Sequence, residues 1–320
     1  MPEADPADRA MTDRARERFD SVRRARGVRG GTSDGALPNL IVIGGLKCGT
    51  TSVHHYLNLH PQIAMSRPKE LNYFVTELNR DLGADWYRSH FDPAARIRGE
   101  SSPHYTNLPR FAGVAERMAA ELEDGTRLIY MVRDPIDRIL SHYVHNTGGG
   151  YEGRPIEQAL AAPGSSYVER SRYATQLDPF LQRFGAERVR IISQDELRDR
   201  RAETMRGAFE FLGVDAGFRS EQFDREWERG TAKSSGRFQL MDRAVRLPGL
   251  RAFDRNFDRL PEALRWRVEK LVHSPEAPAA PKPELRPQTR ARLIEALTGE
   301  VERLERIAGR SFGWPGFTAA

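Results

Sequence analysis

The stretch Leu40-Ile41-Val42-Ile43-Gly44-Gly45-Leu46-Lys47-Cys48-Gly49-Thr50-Thr51-Ser52 limits most sharply what this chain can fold into. An apolar run breaks into glycines, one lysine and three consecutive hydroxyls. The β-branched Ile41, Val42 and Ile43 suit a strand buried on both faces. Gly44, Gly45 and Gly49 let backbone N–H groups converge on an anion. Thr50, Thr51 and Ser52 then open a helix whose unpaired N–H groups and positive dipole end favour a phosphate. In the common triphosphatase loop, G-x-x-x-x-G-K-[ST], the lysine follows the last glycine. Here Lys47 precedes Gly49 by two residues. The loop is phosphate-binding in style but is not that motif.

At 320 residues the chain can bury a substantial core, as one large α/β domain with additions. Its net charge of +5 favours anionic ligands, although a solvated arginine-rich surface accounts for most of it. The only lysines are Lys47, Lys69, Lys233, Lys270 and Lys282. An ammonium is a compact point charge and a guanidinium a planar fork, so lysines kept in an arginine-rich chain point to sites that need an amine. The single Cys48 forms no disulfide within the chain, reads as a small packing residue, and suits a reducing cytoplasm. No Cys/His cluster has zinc spacing, and no metal is expected. No apolar run approaches the roughly 18 residues of a membrane span, and the charged amino terminus lacks a signal peptide's apolar core.

Residues 1–36 mix Pro, Asp, Arg and Gly and are expected to be a mobile arm, with a short helix around Thr12 to Arg26. The folded domain is expected over 37–320, with a helical segment at about 285–314. After the opening loop, Val53, Tyr56, Leu57 and Leu59 give a helical face, and Ile63 to Met65 a short strand that runs into Lys69 and Glu70. Ile97 to Pro103 reads as strand and turn, Phe111 to Leu122 as a helix. Arg127 to Val132 reads as a central strand, ending in a turn whose Pro135 starts a helix. Asn146 to Pro155, with Gly148-Gly149-Gly150, is expected to be a flexible connection, a lid or substrate loop. Tyr173 to Phe184 is an amphipathic helix, Val189 to Ile192 a strand, and Glu203 to Leu212 a helix capped by Gly213. Gly230 to Arg237 forms a polar loop and Ser274 to Pro283 a Pro/Ala-rich linker. Leu293, Ile294, Leu297, Val301, Leu304 and Ile307 are spaced for a closing helix.

Several of these segments, between Leu37 and Trp314, resemble sulfotransferases that use 3′-phosphoadenosine-5′-phosphosulfate (PAPS), nearest the branch of heparan sulfate sulfotransferase domains and their bacterial relatives. Lys47-Cys48-Gly49-Thr50-Thr51 fits that family's Lys-x-Gly-Thr-Thr loop for the 5′-phosphosulfate. Arg133-Asp134-Pro135-Ile136-Asp137-Arg138-Ile139-Leu140-Ser141 fits its 3′-phosphate segment. Lys69-Glu70-Leu71-Asn72-Tyr73-Phe74 resembles the acidic segment whose glutamate is the proposed base. Asp85-Trp86-Tyr87, Glu100-Ser101-Ser102-Pro103-His104-Tyr105 and Phe209-Glu210-Phe211-Leu212-Gly213 align with further recurring segments. Lys233-Ser234-Ser235-Gly236-Arg237 resembles the late loop that closes over the nucleotide. Ser101 and Ser235 stand where heparan enzymes carry lysines, which weakens any transfer of glycosaminoglycan specificity.

The resemblance implies a single α/β domain with a central, mainly parallel sheet and sulfuryl transfer from PAPS, releasing adenosine 3′,5′-bisphosphate (PAP). It implies Lys47 and Glu70 as catalytic residues. Lys47, Cys48, Gly49, Thr50, Thr51, Ser52, Arg133, Ser141, Lys233, Ser235, Gly236 and Arg237 are the implied donor-binding residues. His104 is the reserve base, while His54 and His55 read as packing or nucleotide-side contacts. Glu70 paired with Lys69, and Arg133 paired with Asp134 or Asp137, are the structural alternatives. The acceptor is expected to be a small molecule or glycan, offering a hydroxyl or amine. Two rivals are weighed. A phosphate-loop kinase is disfavoured by the lysine position and by the lack of an obvious magnesium-binding carboxylate. A basic nucleic-acid-binding protein is disfavoured because no recognisable module is present.

Overall fold

The first strand, β1 (Leu40–Val42), is buried along its whole length, as a strand flanked on both sides must be. The computed structural model describes residues 35–224 and 282–317. The expected amino-terminal arm up to residue 34 and the Gly230–Arg237 loop lie outside these residues, as does all but the end of the Pro/Ala-rich linker. From β1 the chain passes through the loop into α1 (Thr50–Asn58), β2 (Ile63–Met65), α2 (Gly83–Arg88), β3 (Ile97–Ser101), α3 (Val114–Glu121), β4 (Arg127–Val132) and α4 (Pro135–Gly148). There follow α5 (Ile156–Ala161), α6 (Ser166–Glu169), α7 (Tyr173–Phe184), β5 (Val189–Ser193), α8 (Gln194–Asp199), α9 (Arg201–Leu212) and α10 (Pro287–Ala308).

The strands form one sheet in the order β2-β3-β1-β4-β5, and every neighbouring pair is parallel. Parallel pairing needs a crossover helix between strands and so covers both faces, which explains the continuous apolar runs of β1 and β4. Val42 stands opposite Ser101 of β3 and Ile129 of β4. The loops after these three strands therefore leave the same edge of the sheet. Here the strand order also reverses: the chain first runs out to β2 at the edge and back to β3 beside β1, then crosses β1 to β4. Open α/β sheets take their ligands in such a crevice. The single domain with a central parallel sheet is the one the sequence predicts.

Three local differences have physical causes. Helix α3 starts at Val114 and not at Phe111, because Gly113 adopts a left-handed φ of 73° before it. The segment expected to be flexible at 146–155 is helical to Gly148, and its remainder is tied down. There the buried Glu152 accepts from Arg154 N–H and from Tyr167 Oη, and Tyr143 Oη donates to Arg154 O. Helix α8 is an addition to the elements expected, started by a capping box between Ser193 and Glu196.

Gly44 is demanded by packing, since a Cβ there would stand 1.9 Å from the ring of the buried Tyr130. Gly44→Ala is expected to destabilise the protein by about 2 kcal/mol or more, as overpacked cores do. Thermal denaturation should show a fall in Tm of several degrees; an unchanged Tm would mean that the strand end relaxes freely.

Candidate active site

Gly45 passes the chain from sheet to loop: its N–H donates to Met131 O at 2.9 Å. That N–H is used inside the fold, so of the three glycines expected to present donors, Gly44 and Gly45 instead serve close packing and pairing. Gly49 is different. It has a left-handed φ of 86° and stands as the N-cap of α1, which has no side-chain cap. The first bond of the helical ladder runs from Val53 N–H to Gly49 O at 3.1 Å. The N–H groups of Thr50 and Thr51 precede that ladder, at the positive end of the helix dipole. Lys47 is itself left-handed, with φ 69°, a conformation that costs a non-glycine residue on the order of 1 kcal/mol. Cys48 is wholly buried 3.6 Å from Tyr173 Oη, and burial pushes its thiol up, as suits a packing residue.

The second loop leaves β4. Asp134 caps α4 by accepting from Asp137 N–H at 2.8 Å, with Pro135 in the first turn. Arg133, just before the cap, donates from Nη2 to Asp137 Oδ2 at 3.0 Å and reaches Lys47 O with Nη1 at 3.5 Å. Two loops 86 residues apart in sequence thus meet at this point. Tyr173 braces both, donating to Arg133 O at 2.8 Å while lying beside Cys48. The other oxygen of Asp137 accepts from Lys282 Nζ at 2.9 Å. Burial works against ionisation of Asp137, but the bonds from Lys282 and Arg133 outweigh it and keep the carboxyl below its usual range. The Arg133–Asp137 pair left open by the sequence is present. Because Asp137 is 46% exposed, the pair is worth about 1 kcal/mol at most, and a phosphate can displace it. Ser141 lies half-buried in the second turn of α4.

The third loop follows β2. Glu70 and Asn72 both have left-handed φ values, 69° and 51°. Lys69 Nζ lies 2.6 Å from Glu70 Oε1, so the pairing left open by the sequence is present here too. It is compatible with a base, because a neighbouring cation favours the form of a carboxylate that accepts a proton. Glu70 N–H donates to Ser101 O at 3.0 Å, and Ser101 Oγ lies 2.9 Å from Nδ1 of His54 on α1. Ser101 therefore joins the Glu70 loop to the phosphate-loop helix. Burial, reinforced by Lys69, drives His54 well below the usual histidine range. Burial and then Arg170 bring His104 down to about 3. Both imidazoles stay neutral at ordinary pH.

Lys233, Ser235, Gly236 and Arg237 lie outside the described residues. The lysines within them are Lys47, Lys69 and Lys282, and each stands at one of these loops. The scarcity of lysine was the sequence signal for Lys282, which motif reading alone passes over. Tyr173 carries no such signal; Glu100 and Ser102 stand in the recurring Glu100–Tyr105 segment, but only the fold shows which residues they bond.

Proteins that set a phosphate loop at the tip of a central parallel strand form the phosphate-loop α/β class, and this chain is one of them. A family model described as "Sulfotransferase domain" matches residues 37–239, and the chain belongs to that family. It is 40% identical over 112 residues to the Dictyostelium discoideum membrane-associated sulfotransferase kil1, covering 33% of this chain and 22% of that protein. Over 283 residues it is 26% identical to human bifunctional heparan sulfate N-deacetylase/N-sulfotransferase 2, covering 74% of this chain and 32% of that protein. The chain thus spans a third or less of the length of these curated relatives. A crystal structure of a sulfotransferase from Alicyclobacillus acidocaldarius superposes with a TM-score of 0.60 at 23% identity, over 87% of this chain and 98% of that one. That likeness is one of fold. Among the described residues no helix is long and apolar enough to cross a membrane.

Proposed function

We propose that this domain transfers a sulfuryl group from PAPS to a hydroxyl or amine of an acceptor, with Lys47 and Glu70 as catalytic residues. The observation that carries the reading is the meeting of two cationic loops, Arg133 Nη1 lying 3.5 Å from Lys47 O. A nucleotide with phosphates at both its 5′ and 3′ positions calls for two such loops side by side. The residues fit that donor on structural grounds: an uncapped helix start after a left-handed glycine, and an arginine whose ion pair is with a half-exposed aspartate. Thr50, Thr51, Ser52 and the Lys47 ammonium would hold the 5′-phosphate, and Arg133 with Ser141 the 3′-phosphate. When bound, the donor supplies an activated sulfuryl group and leaves as PAP.

The chain's own residues then do three things. Lys47 provides positive charge where the leaving phosphate becomes more negative. Glu70 takes the proton of the attacking hydroxyl or amine. The rigid strand ends fix both groups, and such positioning supplies much of the rate in group transfer. A carbohydrate, glycolipid or small natural product is the proposed acceptor class. Its binding segments are 72–90, 104–111 and 146–172. Ser101, in place of a lysine, speaks against a heavily sulfated glycan. A reducing, cytoplasmic setting suits the lone, buried Cys48.

Calorimetry tests the donor. PAP is expected to bind tightly and ATP weakly, and Arg133→Ala to weaken PAP about 10- to 100-fold, the worth of a hydrogen bond to a charged group. Preference for ATP, or PAP binding indifferent to Arg133, would turn the assignment toward a kinase-like phosphotransferase. An acceptor screen with PAPS, read by mass spectrometry as sulfate addition, then identifies the second substrate.

A further inference from the structure

The Glu70 turn has a conformation that its own sequence does not explain. Glu70 and Asn72 are left-handed without being glycine, and each such residue costs on the order of 1 kcal/mol or more. What over-determines them comes from the end of β3. Glu100 is fully buried, and its carboxylate accepts hydroxyls at 2.6 Å from Tyr87 and Tyr105 on Oε1 and from Ser102 on Oε2. The nearby Leu71 backbone also favours the ionised form of the carboxyl. Ser102 Oγ, having donated to Glu100, accepts from Asn72 N–H at 3.0 Å. Asn72 Nδ2 closes back on Glu70 O at 3.1 Å, and Glu70 N–H donates to Ser101 O at 3.0 Å. The turn is thus bonded at the Glu70 and Asn72 N–H groups to Ser101 and Ser102, and through Ser102 to Glu100.

Filling the core does not call for this arrangement. Burial pushes the Glu100 carboxyl up, and an apolar side chain of similar volume avoids that desolvation cost. A carboxylate has four acceptor sites on two oxygens, enough for all three hydroxyls. An amide offers only one oxygen, with two, and an NH2 that must itself donate. We propose that Glu100 is a positioning residue for the transfer reaction. Through Ser102 it fixes the left-handed turn that presents Glu70, at the strand end where Ser101 also anchors His54 of the phosphate-loop helix. The proposal rests on Glu70 being the base.

PAP release from PAPS in water, with no acceptor added, is the probe of turnover. Glu100→Gln is expected to lower it about 10- to 100-fold, as small misplacements of a reacting group do. PAP affinity should stay within about threefold of wild type, since the phosphate loops are untouched. Ser102→Ala breaks the relay without altering the buried charge, and should give a smaller loss of the same kind even if Glu100→Gln fails to fold. In a Glu70→Gln background either change should lower the residual rate less than about threefold, because nothing remains to be positioned. Amide exchange at 70–72 in Ser102→Ala should quicken about tenfold or more, with β1 unchanged. Wild-type turnover in both single variants, or equal losses with and without the Glu70 carboxylate, overturns the proposal. Wild-type turnover in Glu70→Gln alone sinks the base assignment instead. Exchange then still decides whether Glu100 orders the turn: quickened exchange supports it, unchanged exchange refutes it.

Discussion

Lys47→Ala is expected to lower donor turnover by about 10²- to 10³-fold, equivalent to about 2.7–4 kcal/mol of lost transition-state stabilisation. Complete burial of β1 leaves the strand no freedom at its tip. Lys47 is then held left-handed at φ 69°, with its carbonyl 3.5 Å from Arg133 Nη1. An ammonium carried on that backbone is a point charge that can follow a single oxygen as negative charge grows there. Lys47→Arg should not restore activity, because a planar fork of greater width cannot take the same place in so tight a loop. Stability should hardly move, within about 1 kcal/mol, since alanine meets the same left-handed cost as lysine. The measurement is kcat beside PAP affinity and Tm. A Lys47→Ala protein that keeps more than about a tenth of wild-type kcat with normal PAP binding would remove Lys47 from the chemistry.

The elements that could be read from the sequence are those whose cause is local. Tyr173–Phe184 matches its expected range because its apolar spacing is strong, and the closing helix runs over Pro287–Ala308 with the expected Leu293, Leu297, Val301 and Leu304 buried. The phosphate loop was legible because a buried strand, a left-handed glycine and a run of hydroxyls adjoin in sequence. Features with distant causes were not legible. Glycines 148–150 suggest flexibility, yet Glu152 and Tyr167 tie the following residues down across the fold. Helix α8 buries only Leu197, so it has no apolar stripe to read, although its Ser193–Glu196 capping box was there in the sequence.

The same distinction holds within the candidate site. Lys47, Glu70 and Arg133 stand out by residue type and neighbouring motif. Their left-handed or braced backbones do not, because Tyr173, Glu100 and Ser102 act from elsewhere in the chain. The Cys48–Tyr173 contact spans 125 residues and the Asn72–Ser102 bond 30. Sequence spacing reports neither.

Glu70→Gln is expected to cost turnover about 10²- to 10⁴-fold while PAP affinity stays unchanged, the loss appropriate to a missing general base. The swap keeps volume and backbone. It changes a carboxylate that is 39% exposed and whose pair with Lys69 is worth about 1 kcal/mol at most. His104 provides the contrast. Burial brings it down to about 3, so it is neutral across the working range and a far weaker proton acceptor than an ordinary imidazole. His104→Gln should accordingly keep more than about a tenth of wild-type turnover. The reverse pattern, an active Glu70→Gln protein and an inactive but folded His104→Gln protein, would transfer the base to His104. The left-handed Glu70 would then be a matter of loop architecture alone.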